Sequence, residues 1–154
     1  MARREDSNQP VAAGGNLSAS LEDYLEAIYN LTAETEEIRS KEIAAKLRVA
    51  RPSVTGALRA LKEKGFVHYQ PYRSISLTSR GRTAAKQVVR KHDVLSSFFT
   101  DVLGIEAELA QQVACRAEHS LGSEVIDRLL SFIEFVNRSA SDGYDIARRF
   151  KRFH

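Results

Sequence analysis

With a single cysteine, Cys115, the chain cannot close an internal disulfide, and nothing in the sequence points to export. No apolar run approaches the ~18 residues that a membrane span needs, so no membrane partner is expected. Residues 1–16 carry two arginines with no hydrophobic region behind them, and so do not read as a secretory signal. Their Gly, Ser, Asn and Pro content predicts a disordered arm. The expected location is the cytoplasm. What the sequence does have is 154 residues and a 43% apolar fraction, enough to bury the core of one ordinary domain or of two small ones sharing helices.

The formal net charge of +3 hides a strong segregation. Residues 1–38 hold 2 basic and 8 acidic side chains, residues 39–92 hold 14 and 2, and residues 93–154 hold 7 and 10. A basic block between acidic flanks fits one face for a polyanion and another region for something cationic. A solvated lysine-rich surface would look the same by composition alone.

Leu21, Tyr24, Leu25, Ile28 and Leu31 recur at three and four, which predicts an amphipathic helix capped by Ser20. Ser40 is placed to cap a short helix over Lys41–Leu47, with Arg48 to Ala50 as a tight connection. Pro52 then suits the first turn of a third helix, which buries Val54, Leu58 and Leu61 and stops at Gly65. Phe66–Tyr69 and Ser74–Leu77 flank a Pro-containing turn and predict a small hairpin. Beyond it, Thr78 is expected to cap a long helix reaching about Thr100. Further helices are expected from about Glu106 to Leu121 and from Ser123 to about Asn137. Arg138 to Gly143 reads as a break, and Tyr144 to His154 as a short basic helix.

Helix, helix, turn, helix and two-stranded wing make a winged helix-turn-helix, whose second motif helix enters the DNA major groove. The fold class expected is mainly α, a winged helix-turn-helix followed by an α-helical dimerisation domain. The divisions are 1–16 arm, 17–80 reader, 81–140 metal-binding and dimerisation helices, and 141–154 basic tail. The reading helix would present Arg51, Pro52, Ser53, Thr55, Gly56 and Arg59. The arginines suit guanine edges or phosphates, and Ser53 and Thr55 suit phosphates at a helix N-terminus. Gly56 lacks a side chain that would hold the helix off the groove. Tyr72 and Arg73 at the wing tip would reach the flanking backbone.

Six residues outside the reading helix form a possible second site. Asp23 and Glu26 share a face of the first helix, His92 lies on the apolar stripe of the long one, and Cys115, Glu118 and His119 are spaced i, i+3, i+4. Inward-facing N, O and S donors from three helices suit a transition metal. Each residue also has a plainer explanation. Asp23 and Glu26 could favour the positive end of their helix. His92 could be a hydrogen-bonded core histidine, Cys115 a small buried hydrophobe, and Glu118 a solvated charge. Spacing cannot show that the helices meet.

The segments SLEDYLEAIYNL, RPSVTGALRALKEKGFVHYQPYRSISLTSRGR, RKHDVL and CRAEH resemble the diphtheria-toxin-repressor family of metal-dependent transcriptional regulators, which includes the manganese transport regulator. The likeness runs from about Ser20 to Phe135 with its motifs in order. It implies a winged helix joined to a helical dimerisation domain, with metal between the two favouring a dimer that fits a palindromic operator on double-stranded DNA. It also implies that Asp23, Glu26, His92, Cys115, Glu118 and His119 are the regulatory ligands. Asp23 and Glu26 resemble the manganese-sensing branch, whereas Cys115 resembles the iron-sensing one. Gln111 and Ser96 stand where the iron branch has its ancillary histidine and glutamate, and no room remains for that branch's SH3-like domain.

Thiolate is softer than carboxylate, so Fe2+ is expected ahead of Mn2+, as one or two ions per subunit, with Glu26, Glu118 or Cys115 available to bridge a pair. The expected role is a homodimeric repressor of metal uptake genes. Its apolar contacts would lie around Val113, Val125, Leu129, Phe132 and Ile133. The alternative is a winged-helix regulator answering to an organic ligand or to oxidation of Cys115. Hydrolysis by a metalloenzyme is disfavoured, since no further catalytic residues accompany the donors.

Overall fold

The computed structural model describes residues 17–141 and 144–153, so the expected disordered arm lies outside the described residues. Helix α1 (Ala19–Glu34) starts at Ser18, whose hydroxyl accepts the Leu21 N–H at 3.4 Å. Ser20, the expected cap, sits inside the first turn. Tyr24, Leu25, Ala27, Ile28 and Leu31 are buried, the stripe that the three-and-four spacing predicts. Helix α2 (Ser40–Leu47) includes Ser40 as its first residue. The capping role expected of Ser40 falls instead to Glu42, whose carboxylate accepts the Arg39 N–H at 3.0 Å. Arg48, in the left-handed region at φ 55°, turns the chain into α3 (Arg51–Glu63). Pro52 lies in the first turn of α3, and Val54, Ala57, Leu58 and Leu61 face inward. Gly65 follows at φ 77°, a conformation that only glycine adopts freely.

The wing pairs β1 (Val67–His68) with β2 (Ser76–Leu77) antiparallel, Val67 opposite Leu77 and His68 opposite Ser76. Ile75 donates its N–H to the Ile38 carbonyl at 2.7 Å, tying the wing to the segment before α2. Thr78 then caps α4 (Ser79–Ser97), accepting the Gly81 N–H at 2.9 Å while donating to the Gly65 carbonyl at 2.8 Å. Arg80 donates to the Lys64 carbonyl at 3.1 Å and lies 4.5 Å from the Phe66 ring centre. The end of α3 and the start of α4 are thus held together through both backbone and side chains.

Helix α4 was expected to run unbroken to about Thr100. The helical path does reach that far, but its last turn, over Phe98–Val102, is a π-turn with one extra residue. Glu106 caps α5 (Ala107–Ala117), which tightens into a 3-10 turn over Glu118–Ser120 rather than continuing to Leu121. Helix α6 (Ser123–Ser141) passes through most of the expected break at Arg138–Gly143, of which Asp142 and Gly143 lie outside the described residues. Its serines at 131, 139 and 141 return their hydroxyls to carbonyls four residues back, so they do not interrupt it. Helix α7 (Ile146–Phe153) closes the chain, and Ile146 and Ala147 pack on the second core.

Two cores result. The first joins α1, α2, α3 and the wing, and takes Ala84 and Ala85 from α4. The second joins the later helices and takes Val94 and Leu95 from the same helix. Helix α4 passes through both, so residues midway along it lie at the junction.

Candidate metal centre and nucleic-acid interface

His92 projects from α4 at that junction, between its contributions to the two cores. Its Nδ1 lies 2.8 Å from Oε2 of Glu118, which is fully buried at the α5 C-terminus. Oε1 of Glu118 has no hydrogen-bond partner, and His119 Nε2 approaches it only to 3.4 Å. His119 reaches across to α1, with Nε2 at 2.9 Å from Oδ1 of Asp23 and Nδ1 at 2.6 Å from Oε2 of Glu22.

Two groups of donors emerge, each with its ligand atoms within 4.8 Å of one another. One is Asp23, Cys115 and Glu118, and the other is Glu26, His92 and Glu118. Glu118 belongs to both, and His119 faces the first. All six residues singled out from the sequence therefore converge from α1, α4 and the end of α5. The plainer readings fare differently: Glu118 is buried rather than solvated, and Cys115 is exposed rather than a buried hydrophobe.

The electrostatics show what this costs without a cation. Burial, reinforced by Glu118 and neighbouring carboxylates, pushes the Asp23 and Glu26 carboxyls above their ordinary values. Although Cys115 is exposed, partial desolvation of its thiol and the charges of Glu118, Asp23 and Glu26 likewise raise it. His92 is raised by its hydrogen bond to Glu118. Burial opposes the charge on His119, but Glu22, Asp23 and Glu118 outweigh it and hold that imidazole above its usual value. These carboxyls, the thiol and both imidazoles thus all hold their protons more tightly than free groups do. A fully buried carboxylate with an orphaned oxygen, ringed by imidazole, thiol and carboxylate, fits a divalent transition ion.

In the reader, Arg51, Pro52, Ser53, Gly56 and Arg59 are exposed along α3, and Thr55 is half-buried. A side chain at Gly56 would meet nothing within 4 Å, so that face of the helix is open. The Thr55 hydroxyl donates to the Arg51 carbonyl at 3.3 Å. A groove of about 660 Å³ runs between this face and the wing tip, lined by Arg51, Thr55, Arg59, Tyr72 and Arg73. Arg39, Lys41 and Tyr69 line it too. These three were not singled out from the sequence, although Arg39 and Lys41 belong to the basic block that begins there.

Two family models cover nearly the whole chain. The iron-dependent repressor N-terminal DNA-binding domain matches residues 16–75, and the iron-dependent repressor metal-binding and dimerisation domain matches residues 78–154. The chain belongs to the iron-dependent repressor family.

Curated relatives of this family include an uncharacterised HTH-type transcriptional regulator of Methanocaldococcus jannaschii, 37% identical over 77% of this chain and 95% of its own length. The diphtheria toxin repressor of Corynebacterium glutamicum is 34% identical over 80% of this chain and 54% of its own. The transcriptional regulator MntR of Salmonella typhimurium is 33% identical over 78% and 76%. Among solved structures, a manganese-dependent transcriptional repressor in complex with manganese aligns with a TM-score of 0.69 at 26% identity, covering 75% of this chain and 53% of that one. ScaR with bound Zn2+ aligns at 0.64 and 27% identity, over 75% and 54%. The chain therefore spans about half the length of the corynebacterial repressor and of these structures.

The fold is the mainly helical, winged-helix architecture of these regulators, with a two-stranded wing. Ser96 is half-buried with its hydroxyl unpartnered, and Gln111 is exposed on α5. Of the apolar residues expected to meet a second subunit, Val113, Val125 and Phe132 are exposed. Ile133 is buried in the second core and Leu129 packs against it, so these two serve the subunit's own interior. Leu109 and Phe135 are exposed beside the first three on α5 and α6. Among the described residues no helix is long and apolar enough to cross a membrane.

Proposed function

We propose that this protein is a cytoplasmic, homodimeric transcriptional regulator whose grip on a palindromic operator is tightened by a divalent transition ion. The division of labour is a reader over 17–80, metal-binding and dimerisation helices over 81–140, and a basic tail beyond. The observation that carries the reading is the gathering of five further donors from three helices around Glu118, buried with an unpartnered oxygen.

Asp23 and Glu26 ride on α1, part of the reader's core, whereas Cys115, Glu118 and His119 belong to the later helices, with His92 between. Asp23 and Glu26 on one side, and Cys115, Glu118 and His119 on the other, would hold a cation between the two groups of helices, and it would supply the countercharge that the carboxylates need. The ligands then hold the reader at a narrower range of orientations to the dimerisation helices. Less ordering remains for operator binding, which raises affinity. Arg51 and Arg59 read base edges or phosphates, with Ser53 and Thr55 at the helix start and Tyr72 and Arg73 on the backbone. Two donor groups sharing Glu118 favour a pair of ions per subunit over one. The Cys115 thiolate shifts preference from manganese towards iron(II). The genes controlled are those of metal uptake, repressed when metal is plentiful.

A thiol-oxidation sensor is less favoured, because partial desolvation and neighbouring carboxylates raise the Cys115 thiol and so reduce the reactive thiolate. The test is anaerobic fluorescence anisotropy on the protein's own upstream DNA, titrated separately with iron(II), manganese(II) and zinc(II). Affinity should tighten at least about tenfold, a coupling in the usual allosteric range, and chelator should reverse it. Binding indifferent to all three ions and to chelator would overturn the metal switch while leaving the DNA reader standing.

A further inference from the structure

Glu22 is an acidic group against this cluster that neither donor group includes. It lies on α1 next to Asp23, and its side chain is 23% exposed. Its Oε2 sits 2.6 Å from Nδ1 of His119, on the edge of the imidazole away from the donors. The other ring nitrogen, Nε2, faces Asp23 at 2.9 Å and Glu118 Oε1 at 3.4 Å. The two edges of one ring are thus assigned to different carboxylates.

A neutral imidazole carries one N–H and one lone pair, and the partner on one nitrogen decides which nitrogen offers the lone pair. A carboxylate at Nδ1 accepts the N–H there and leaves the Nε2 lone pair for an ion. Histidine ligands commonly have such an outer carboxylate, which fixes tautomer and ring plane and makes the ligating nitrogen a better donor. His119 needs the help. It lies in a short 3-10 turn at the end of α5, where the backbone hydrogen bonds are poorer than in an α-helix.

We propose that Glu22 is a positioning residue that presents Nε2 of His119 to the regulatory metal, without itself being a ligand. The proposal rests on the metal-switch reading above. It makes Glu22 a second tie between α1 and the end of α5: Asp23 meets His119 on its ligating edge, and Glu22 holds the opposite edge.

The test compares the full chain with Glu22→Ala, Glu22→Gln and Glu22→Asp by competition for zinc(II) against a chromophoric chelator. Imidazole 15N spectra of the zinc-loaded proteins give a second readout. The wild type should show His119 protonated at Nδ1 and bound through Nε2. Zinc affinity should fall roughly 10–100-fold in Glu22→Ala, the usual consequence of losing an outer partner. Glu22→Gln should recover part of the loss, since its amide oxygen still accepts the Nδ1–H. A shift of His119 in Glu22→Ala to a mixture of tautomers would be a signature that general loosening of α1 does not produce. Zinc bound through Nδ1 in the wild type, or an affinity in Glu22→Ala within about twofold of wild type, would overturn the role of Glu22 alone. A wild type that binds zinc, manganese and iron no better than a variant lacking Glu118 would overturn the metal site itself, and the role of Glu22 with it.

Discussion

Glu118 has no solvent exposure, and of its two carboxylate oxygens only Oε2 has a hydrogen-bond partner, His92. An unpartnered buried oxygen costs about 1–3 kcal/mol, and more when it carries charge. The neutral, equally shaped Glu118→Gln should therefore raise the melting temperature of the metal-free protein by a few degrees. It should also weaken metal binding by more than the roughly 100-fold that losing an outer partner can bring. Calorimetry with and without metal measures both, and a variant that melts lower without metal would mean that the carboxylate is not under strain. Tyr72 makes a similar case at the other site. It stands wholly exposed at the wing tip with φ 65°, between Pro71 and Arg73, whose N–H closes the turn to Gln70 at 3.2 Å. That turn position calls for glycine, and a side chain there costs about 1 kcal/mol. Tyr72→Gly should leave the fold as stable or up to about 1 kcal/mol more stable, yet weaken DNA binding. Unchanged operator affinity would show that the Tyr72 ring does not touch DNA.

At the scale of elements, the join between α3 and α4 carries the reader's orientation. A Cβ on Gly81 would fall 1.8 Å from the Phe66 carbonyl oxygen, against backbone that cannot swing away. Gly81→Ala should destabilise by about 3 kcal/mol, the upper end of what core overlaps typically cost, and urea denaturation should show it as a lower midpoint. A loss below about 1 kcal/mol would mean that α4 can slide on the end of α3, and the coupling argument would weaken. None of this closeness was legible in the sequence, where Gly81 reads as one more small residue near a helix start. What was legible were the buried faces of α1 and α3, because three-and-four spacing reports which side is apolar whatever the exact ends. The ends were harder. Ser18 and Ser20 are equally good caps by type, and only the backbone decides between them. Arg138 to Gly143 reads as a break because Ser, Asp and Gly suit loops, yet as far as Ser141 the serine hydroxyls simply bond back to the helix. The six donors could be picked out by residue type and spacing. Glu22 could not, since its partner lies 97 residues away and no local pattern separates it from an ordinary surface glutamate.

At the scale of the whole molecule, the donors bind protons or metal, and the two should pull stability in opposite directions with pH. In the metal-free protein Asp23 and Glu26 are raised first by burial, His92 first by its bond to Glu118, and His119 by carboxylates that outweigh burial. A group that holds its proton more tightly folded than unfolded stabilises the fold below its unfolded value, and that gain is lost as pH rises through the folded value. For the carboxyls the loss begins above about pH 4, and for the histidines above about 6.5. All four shifts have the same sign, so the metal-free melting temperature should fall as pH rises from about 4 and on through the range above about 6.5. Metal reverses the slope. The ligands must shed those same protons to bind, so affinity rises with pH, and stabilisation grows with the ratio of free metal to its dissociation constant. Scanning calorimetry in chelator and in excess manganese(II) should give curves that diverge as pH increases. A metal-free profile that is flat or rises over that window would mean that the carboxylates of α1 do not lie against Glu118 and the histidines in solution, and the bridge between reader and dimerisation helices would then have to form by another route.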